Sequence, residues 1–445
     1  MTPDSLPLLT DSSTSADVAE LQRLNFHSKT SSRHLRDLHV LSFTFLFVFL
    51  AYSAAQNLQS SLHSDGNLGT TSLGILYTSF TVCSFIATPI VRRFGTKNSL
   101  VLGTSGYWLF IAANLYPLWY TMVPASLYLG FTASIIWVAE GTYLTSAARS
   151  HATECNLPEG TVLGNFNGEF WGAFASTQVI GNLLSLLLLK NGSEATSNSG
   201  TTLLFAVFLG SMTLGTILAF FLSKQSRSKA GLGIHSSQAS FGNLLRATFV
   251  PLLDKRMLLL IPLLAYSGLE QAFVWAEFTK FVVKPAIGVA GVGGAMAIFG
   301  AADAIFSLVA GRLTTGLLSI SIITNIGILL QAIVLFRLWL GHSFNGSSQV
   351  GLIYILGMAA AWGAGDGIFN TQINALLGIL FPHDTEASFS QLKIWQSGAI
   401  AVVFFVSPHI TFTTMVTVLA VTLVVSLVGL GIITFYIGKA IPQIS

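Results

Sequence analysis

Apolar runs of close to twenty residues recur from one end of this chain to the other, and no other feature restricts its fold as severely. A helix needs about 20 such residues to cross a bilayer core of about 30 Å, and in lipid every backbone polar group must be satisfied internally. Charged residues make up 9% of the 445 positions and hydrophobic residues 52%, with a mean hydropathy of +0.70. A soluble domain carries roughly 25% charged residues. Too few charges remain to clothe a water-facing surface, so the chain is expected to be an all-α membrane protein solvated by the lipid bilayer.

Runs bounded by Gly, Pro, Asn and charge clusters predict twelve transmembrane helices, near 38–57, 70–91, 98–117, 122–146, 162–189, 202–223, 257–281, 289–310, 316–339, 350–378, 388–407 and 412–438. Twelve crossings return the chain to the side on which it began. Sixteen of the 21 Lys and Arg residues then share that side, which the positive-inside rule makes cytoplasmic for both termini. The net charge of +3 is small and its bases sit in short loops, so they read as topology signals and no nucleic-acid partner is expected. Residues 1–37 are Ser/Thr-rich without the pattern of a signal peptide, and are expected to be a disordered cytoplasmic tail, with 439–445 as a second tail. Two cysteines, Cys83 and Cys155, imply no disulfide framework.

Internal matches divide the chain in two. Tyr52-Ser53 pairs with Tyr266-Ser267, Arg93 with Arg312, Trp137 with Trp362 and Trp171 with Trp395, in order and at offsets that drift only between 214 and 225 residues. Such a series predicts two related six-helix halves, 38–223 and 257–438, joined by a polar, basic cytoplasmic linker over 224–256.

Six plus six helices with a basic central loop resemble the major facilitator superfamily. The segment Pro89-x-x-x-Arg93-x-Gly95-x-Lys97 is similar to the basic end of that superfamily's loop motif, without its customary Asp. Gln56-Asn57-Leu58-Gln59-Ser60-Ser61-Leu62, at the end of span 1, and Trp137-Val138-Ala139-Glu140-Gly141-Thr142-Tyr143-Leu144-Thr145, in span 4, resemble signatures of the Unc-ninety-three-like, ion-channel regulatory branch. The overlap includes Leu73-Gly74 and Gly95 and grows diffuse in the second half. The resemblance implies a transporter-like fold of two six-helix pseudo-repeats; the lack of any catalytic or metal-ligand constellation sets an enzyme aside, and no cofactor is expected. Family members are associated with potassium-channel regulation or with escorting another membrane protein. It also implies that spans 1, 4, 7 and 10 line a central cavity, flanked by spans 2, 5, 8 and 11.

Charges inside spans cost about 2.5–3.5 kcal/mol each on insertion scales, so each needs a reason. Glu140, Glu169, Glu270, Glu277, Asp303, Asp366 and Lys393 all fall in the lining or flanking spans. Glu277 is set aside because Lys280, three residues on, can pair with it. By the repeat, Glu140 corresponds to Asp366 and Glu169 to Lys393. Asp366 and Lys393 are expected to neutralise each other, whereas Glu140 and Glu169 would take up a proton, bind a cation or share Lys393 across the interface. Gln56, Asn57 and Tyr143, with Asn165, Asn167, Asn370, Gln372, Asn374 and Gln391, add neutral groups. A static interhelical network, a cation or proton site and an organic substrate site all remain open readings.

Gly363-Ala364-Gly365-Asp366 matches a pattern of intramembrane aspartyl proteases, but the partner motifs are missing and close helix packing explains the glycines. Gly291-x-Gly293-Gly294 follows no strand and is not a nucleotide loop. No metal-ligand cluster and no catalytic constellation occurs. Asp4, Leu8 and Leu9 fit an acidic dileucine sorting signal, which leaves plasma membrane and endosomal or vacuolar membrane as destinations. The competing functions are a regulator or escort of an ion channel or other membrane protein, and a secondary transporter of a cation or a proton-coupled solute.

Both Asn-x-Ser sequons, Asn191-Gly192-Ser193 and Asn345-Gly346-Ser347, fall in loops assigned to the non-cytoplasmic side. Glycosidase treatment of protein made in a eukaryotic host is expected to increase its gel mobility, and the Asn191→Gln, Asn345→Gln double variant to show no such change. An unmodified wild type would count against the assigned orientation.

Overall fold

The computed structural model describes residues 32–56, 68–191, 197–224, 241–341 and 349–440, and the regular structure among them is helical throughout. In chain order the helices are α1 (Ser32–Gln56), α2 (Leu68–Phe94), α3 (Thr96–Ala113), α4 (Trp119–Cys155), α5 (Glu159–Asn191) and α6 (Ser197–Phe220). A short α7 (Phe241–Phe249) precedes α8 (Lys255–Ala272), α9 (Lys284–Leu313), α10 (Leu317–Leu340), α11 (Gln349–Leu380), α12 (Thr385–Val406) and α13 (Phe412–Ala440). Among the described residues, ten helical segments are long and apolar enough to cross a membrane by length and composition. α3 falls short of that measure, being only 18 residues long with Lys97 in its opening turn.

Burial runs opposite to that of a soluble protein. The outward faces of α10 and α13 present Leu318, Ile322, Ile326, Val421, Val424 and Val428 at half exposure or more, while Glu140, Glu270, Asp303, Asp366 and Lys393 are buried. Only a hydrocarbon solvent rewards that distribution.

Several boundaries depart from the sequence expectation. The first helix begins at Ser32, so the segment up to residue 37 is not wholly a disordered tail. Asp37 lies fully buried in it, where the Tyr143 hydroxyl, the Ser223 hydroxyl and Arg36 meet its carboxylate. The linker is likewise not all loop. α7 and a 3-10 turn over Val250–Leu253 occupy its second half, with Phe249 stacked on Phe85 of α2 and the Thr248 carbonyl accepting from Gln391 of α12. Asp254 then caps α8 by accepting the Arg256 N–H at 2.8 Å. The Arg256 side chain bonded to it holds its carboxyl below the usual range.

The expected gap between spans 7 and 8 is also helical. A π-helix, Phe273–Val283, carries α8 straight into α9, and the chain turns at Gly288, whose φ of 75° is open to glycine and unfavourable for other residues. The change of register places the Lys280 ammonium 4.8 Å from the Phe281 ring, and among the described residues no ion pair joins Lys280 to Glu277. Gly95, φ 80°, makes the corresponding break between α2 and α3.

Two long helix contacts tie the first six helices to the last six: α5 lies along α9, and α2 along α12. Glycines every four residues, Gly160, Gly164, Gly168 and Gly172, form one stripe of α5. It meets Gly311, Thr314 and Leu308 of α9 so closely that a Cβ on Gly168 would lie 2.8 Å from the Gly311 Cα and the Ser307 carbonyl oxygen. Gly168→Val is therefore expected to lower Tm in detergent, with overpacking costing about 1–3 kcal/mol. Gly210→Val, where nothing lies within 4 Å, is expected to leave Tm unchanged. Equal behaviour of the two variants would mean that the α5–α9 contact is not close-packed.

Candidate functional site

The interior polar groups separate into two clusters. The first forms where α12 crosses α4. Lys393 projects from α12, and its Nζ donates to Gln396 Oε1 at 2.9 Å, one turn further along the same helix. On the other side the ammonium lies 4.6 Å from the ring centre of Trp137 and 5.9 Å from that of Trp171. The two indoles, from α4 and α5, stack with centroids 5.8 Å apart and planes within 8° of parallel. Trp137 is fixed by its Nε1 bond to the Tyr107 hydroxyl at 3.1 Å. Glu140, one turn after Trp137 on α4, is 1% exposed and acts electrostatically on Lys393. Neither of its oxygens has a hydrogen-bond partner among the described residues. An ammonium against an aromatic face gains about 2 kcal/mol or more once desolvated, and the nearby carboxylate offsets its charge.

The second cluster gathers carboxylates from three helices. Asp366 of α11 accepts from Gln271 Nε2 at 3.4 Å, and Glu270 of α8 lies beside it and beside the Trp362 indole. Asp303 of α9 accepts from Ser307 Oγ at 3.2 Å and faces the same group. Among the described residues no Lys, Arg or His forms an ion pair with any of the three. Carboxylates this close in a water-poor interior need protons, a cation or neighbouring donors to offset their charge. The α11 glycines serve packing: a Cβ on Gly363 would meet the Phe299 carbonyl of α9, and one on Gly365 would meet Gln331 of α10.

This arrangement corrects the expected pairings. Among the described residues no ion pair joins Lys393 to Asp366; α12 packs chiefly along α2, α8 and α4, and the ammonium lies against the indoles, within electrostatic reach of Glu140 but in no direct ion pair with it. Glu169 does not join Glu140. It follows Gly168, whose side of α5 faces α9, so about 100° of helical turn directs Glu169 toward α1, where it meets His39 at 3.5 Å. There it borders a crevice of about 280 Å³ with His151, Asn165 and Arg312. Tyr143 instead spans to Asp37 Oδ2 at 3.1 Å and the Ser223 carbonyl at 2.9 Å, because a buried phenol seeks a partner. Gln56 donates to the Tyr77 hydroxyl at 3.1 Å. Asn57, Asn345, Asp4, Leu8 and Leu9 lie outside the described residues, and Asn191 is the last residue of α5.

Sequence reasoning missed a set of links at the end of the bundle where α2 and α4 finish. Arg149 reaches Glu159 at 2.7 Å, the Pro382 carbonyl at 3.1 Å and the Gly378 carbonyl, and Arg92 reaches Asp384 at 3.4 Å and Glu386 at 3.5 Å. In the sequence both arginines read only as topology signals, and the four-residue glycine period of α5 is the one local sign of the close α5–α9 approach.

The fold is that of the major facilitator superfamily. The chain superimposes on the Escherichia coli fucose:proton symporter FucP with a TM-score of 0.64 at 14% identity, covering 90% of this chain and 99% of that one. A proton:xylose symporter, XylE, gives 0.67 at 12% identity, with 90% and 95% covered. Within that fold, residues 63–430 match the family model described as ion channel regulatory protein UNC-93, and the chain belongs to this family. It is 60% identical over 394 residues to UNC93-like protein 3 of Arabidopsis thaliana, covering 87% of this chain and 83% of that protein. It is 30% identical over 432 residues to human protein unc-93 homolog A, with 88% and 92% covered. The Caenorhabditis elegans protein unc-93, named for potassium channel regulation, is 30% identical over 431 residues, 88% of this chain and 59% of that one.

Buried charges that act on each other are energetically coupled. Lys393→Met and Glu140→Gln are each expected to lower stability, and the double variant to lose less than the sum of the two by about 0.5–3 kcal/mol. Unfolding of the three variants in detergent checks this; additive losses would mean that the two charges do not interact.

Proposed function

We propose that this chain is a transporter-like regulator that acts on potassium or other ion homeostasis through a partner membrane protein, an ion channel being the leading class. The observation that carries this reading is family membership over residues 63–430, together with a relative named for potassium channel regulation that aligns with 88% of the chain. In this reading the chain crosses the bilayer twelve times as two six-helix pseudo-repeats, with both termini cytoplasmic, in the plasma membrane or an endosomal or vacuolar membrane. The similar roles of α2–α4 and α9–α11 contacts, and of α3–α6 and α10–α13 contacts, support the repeat. Internal satisfaction of Lys393 and the arginine links to α11 and α12 support a body held closed and presented as a surface.

A second reading has its own support. The carboxylates of Glu270, Asp303 and Asp366 could serve a proton or cation carried by alternating access.

Flux in proteoliposomes separates the two. A regulator is expected to move neither potassium nor protons when purified, yet to copurify with a channel and alter its current. Flux by the purified protein that Asp366→Asn abolishes would replace the regulator reading with the transporter one.

A further inference from the structure

The contact between α4 and α12 has the parts of a receptor for an ammonium ion, filled by the chain's own side chain. Lys393 Nζ rests on the face of Trp137 at 4.6 Å and near that of Trp171 at 5.9 Å, with the Gln396 amide oxygen at 2.9 Å. Glu140 stands one helical turn from Trp137 and is buried with both oxygens lacking a hydrogen-bond partner among the described residues. The indoles and the carboxylate belong to α4 and α5; the ammonium and the amide belong to α12. If α12 withdraws from α4, Lys393 and Gln396 leave together and the receptor keeps two aromatic faces and a carboxylate with no cation.

An uncompensated buried carboxylate is strongly unfavourable, so withdrawal requires a replacement. The chemistry of the site selects its kind. Hard metal ions such as calcium take six to eight oxygen ligands, whereas the vacated receptor offers one carboxylate beside two π faces. Aromatic faces with a single anion are how proteins recognise organic ammonium groups. The geometry points to a binding site for an organic ammonium, built from Glu140, Trp137 and Trp171 and occupied here by Lys393, so that an external ammonium and Lys393 exclude each other. A ligand that binds only the vacated receptor shifts the population toward the form in which α12 has left α4. This inference rests on the α4–α12 geometry alone and stands apart from the regulator reading.

Two measurements on the full-length protein in detergent test it. In the first, Lys393→Ala is titrated with propylammonium and, as the neutral match, with propanol. The expected result is a saturable rise in Tm of several degrees with propylammonium only, lost in the Lys393→Ala, Glu140→Gln double variant. Equal effects of the two compounds, no saturable effect, or persistence without Glu140 would overturn the site. The second uses the wild type and so does not depend on how the variant folds. Amine-reactive ester labelling at Lys393, read by mass spectrometry, is expected to rise severalfold in trimethylammonium chloride over the same concentration of potassium chloride. Unchanged labelling would overturn the competition between ammonium and Lys393, and an equal rise in potassium chloride would overturn its selectivity for organic ammonium.

Discussion

A charge that lipid cannot solvate has to be answered inside the protein, and the Lys393 ammonium is answered across a helix contact. Its partners come from α4, α5 and α12, so three helices must be held at fixed separation for one side chain to be satisfied. The glycine stripe of α5 supplies part of that rigidity by drawing α9 into backbone contact. Arg149 and Arg92 supply another part at one end of the bundle, where they bind carbonyls and carboxylates at the end of α11 and the start of α12.

The distribution of the remaining charges is uneven. Lys393 lies against the indoles of α4 and α5, and among the described residues Glu270, Asp303 and Asp366 have no ion-pair partner. One cluster joins three helices through a cation and aromatic faces, and the other gathers carboxylates. Membership in the UNC-93 family sets the chain among ion channel regulatory proteins, and the likeness to sugar–proton symporters gives only the fold.

Much of this was legible beforehand. Hydropathy located the long helices, though their ends differ by up to nine residues, as at Cys155 of α4, and the confinement of interior charges to particular spans anticipated a polar centre with apolar outer faces. The motif around Trp137 and Glu140 pointed to the family. Pairings were legible only as alternatives, among them Lys393 shared with Glu140 across the interface. Asp366 and Lys393 lie near in the expected repeat, yet α12 lies against α4 and the ammonium follows it. Glu169 sits one position from a glycine that faces α9, and that single step of about 100° takes it out of the centre. The helix over Phe241–Phe249 lay unread inside the expected linker, and the expected span over 257–281 did not show that its second part is a π-helix running on to Val283.

By itself the sequence determined the solvent, the class of fold and the family, because apolar run length and local motifs are properties of contiguous residues. Tertiary structure decided which buried acid Lys393 serves, where Glu169 and Tyr143 go and how tightly α5 and α9 approach. Those outcomes depend on helix rotation and on neighbours hundreds of residues away, and a buried charge or hydroxyl takes whichever partner that packing brings within reach.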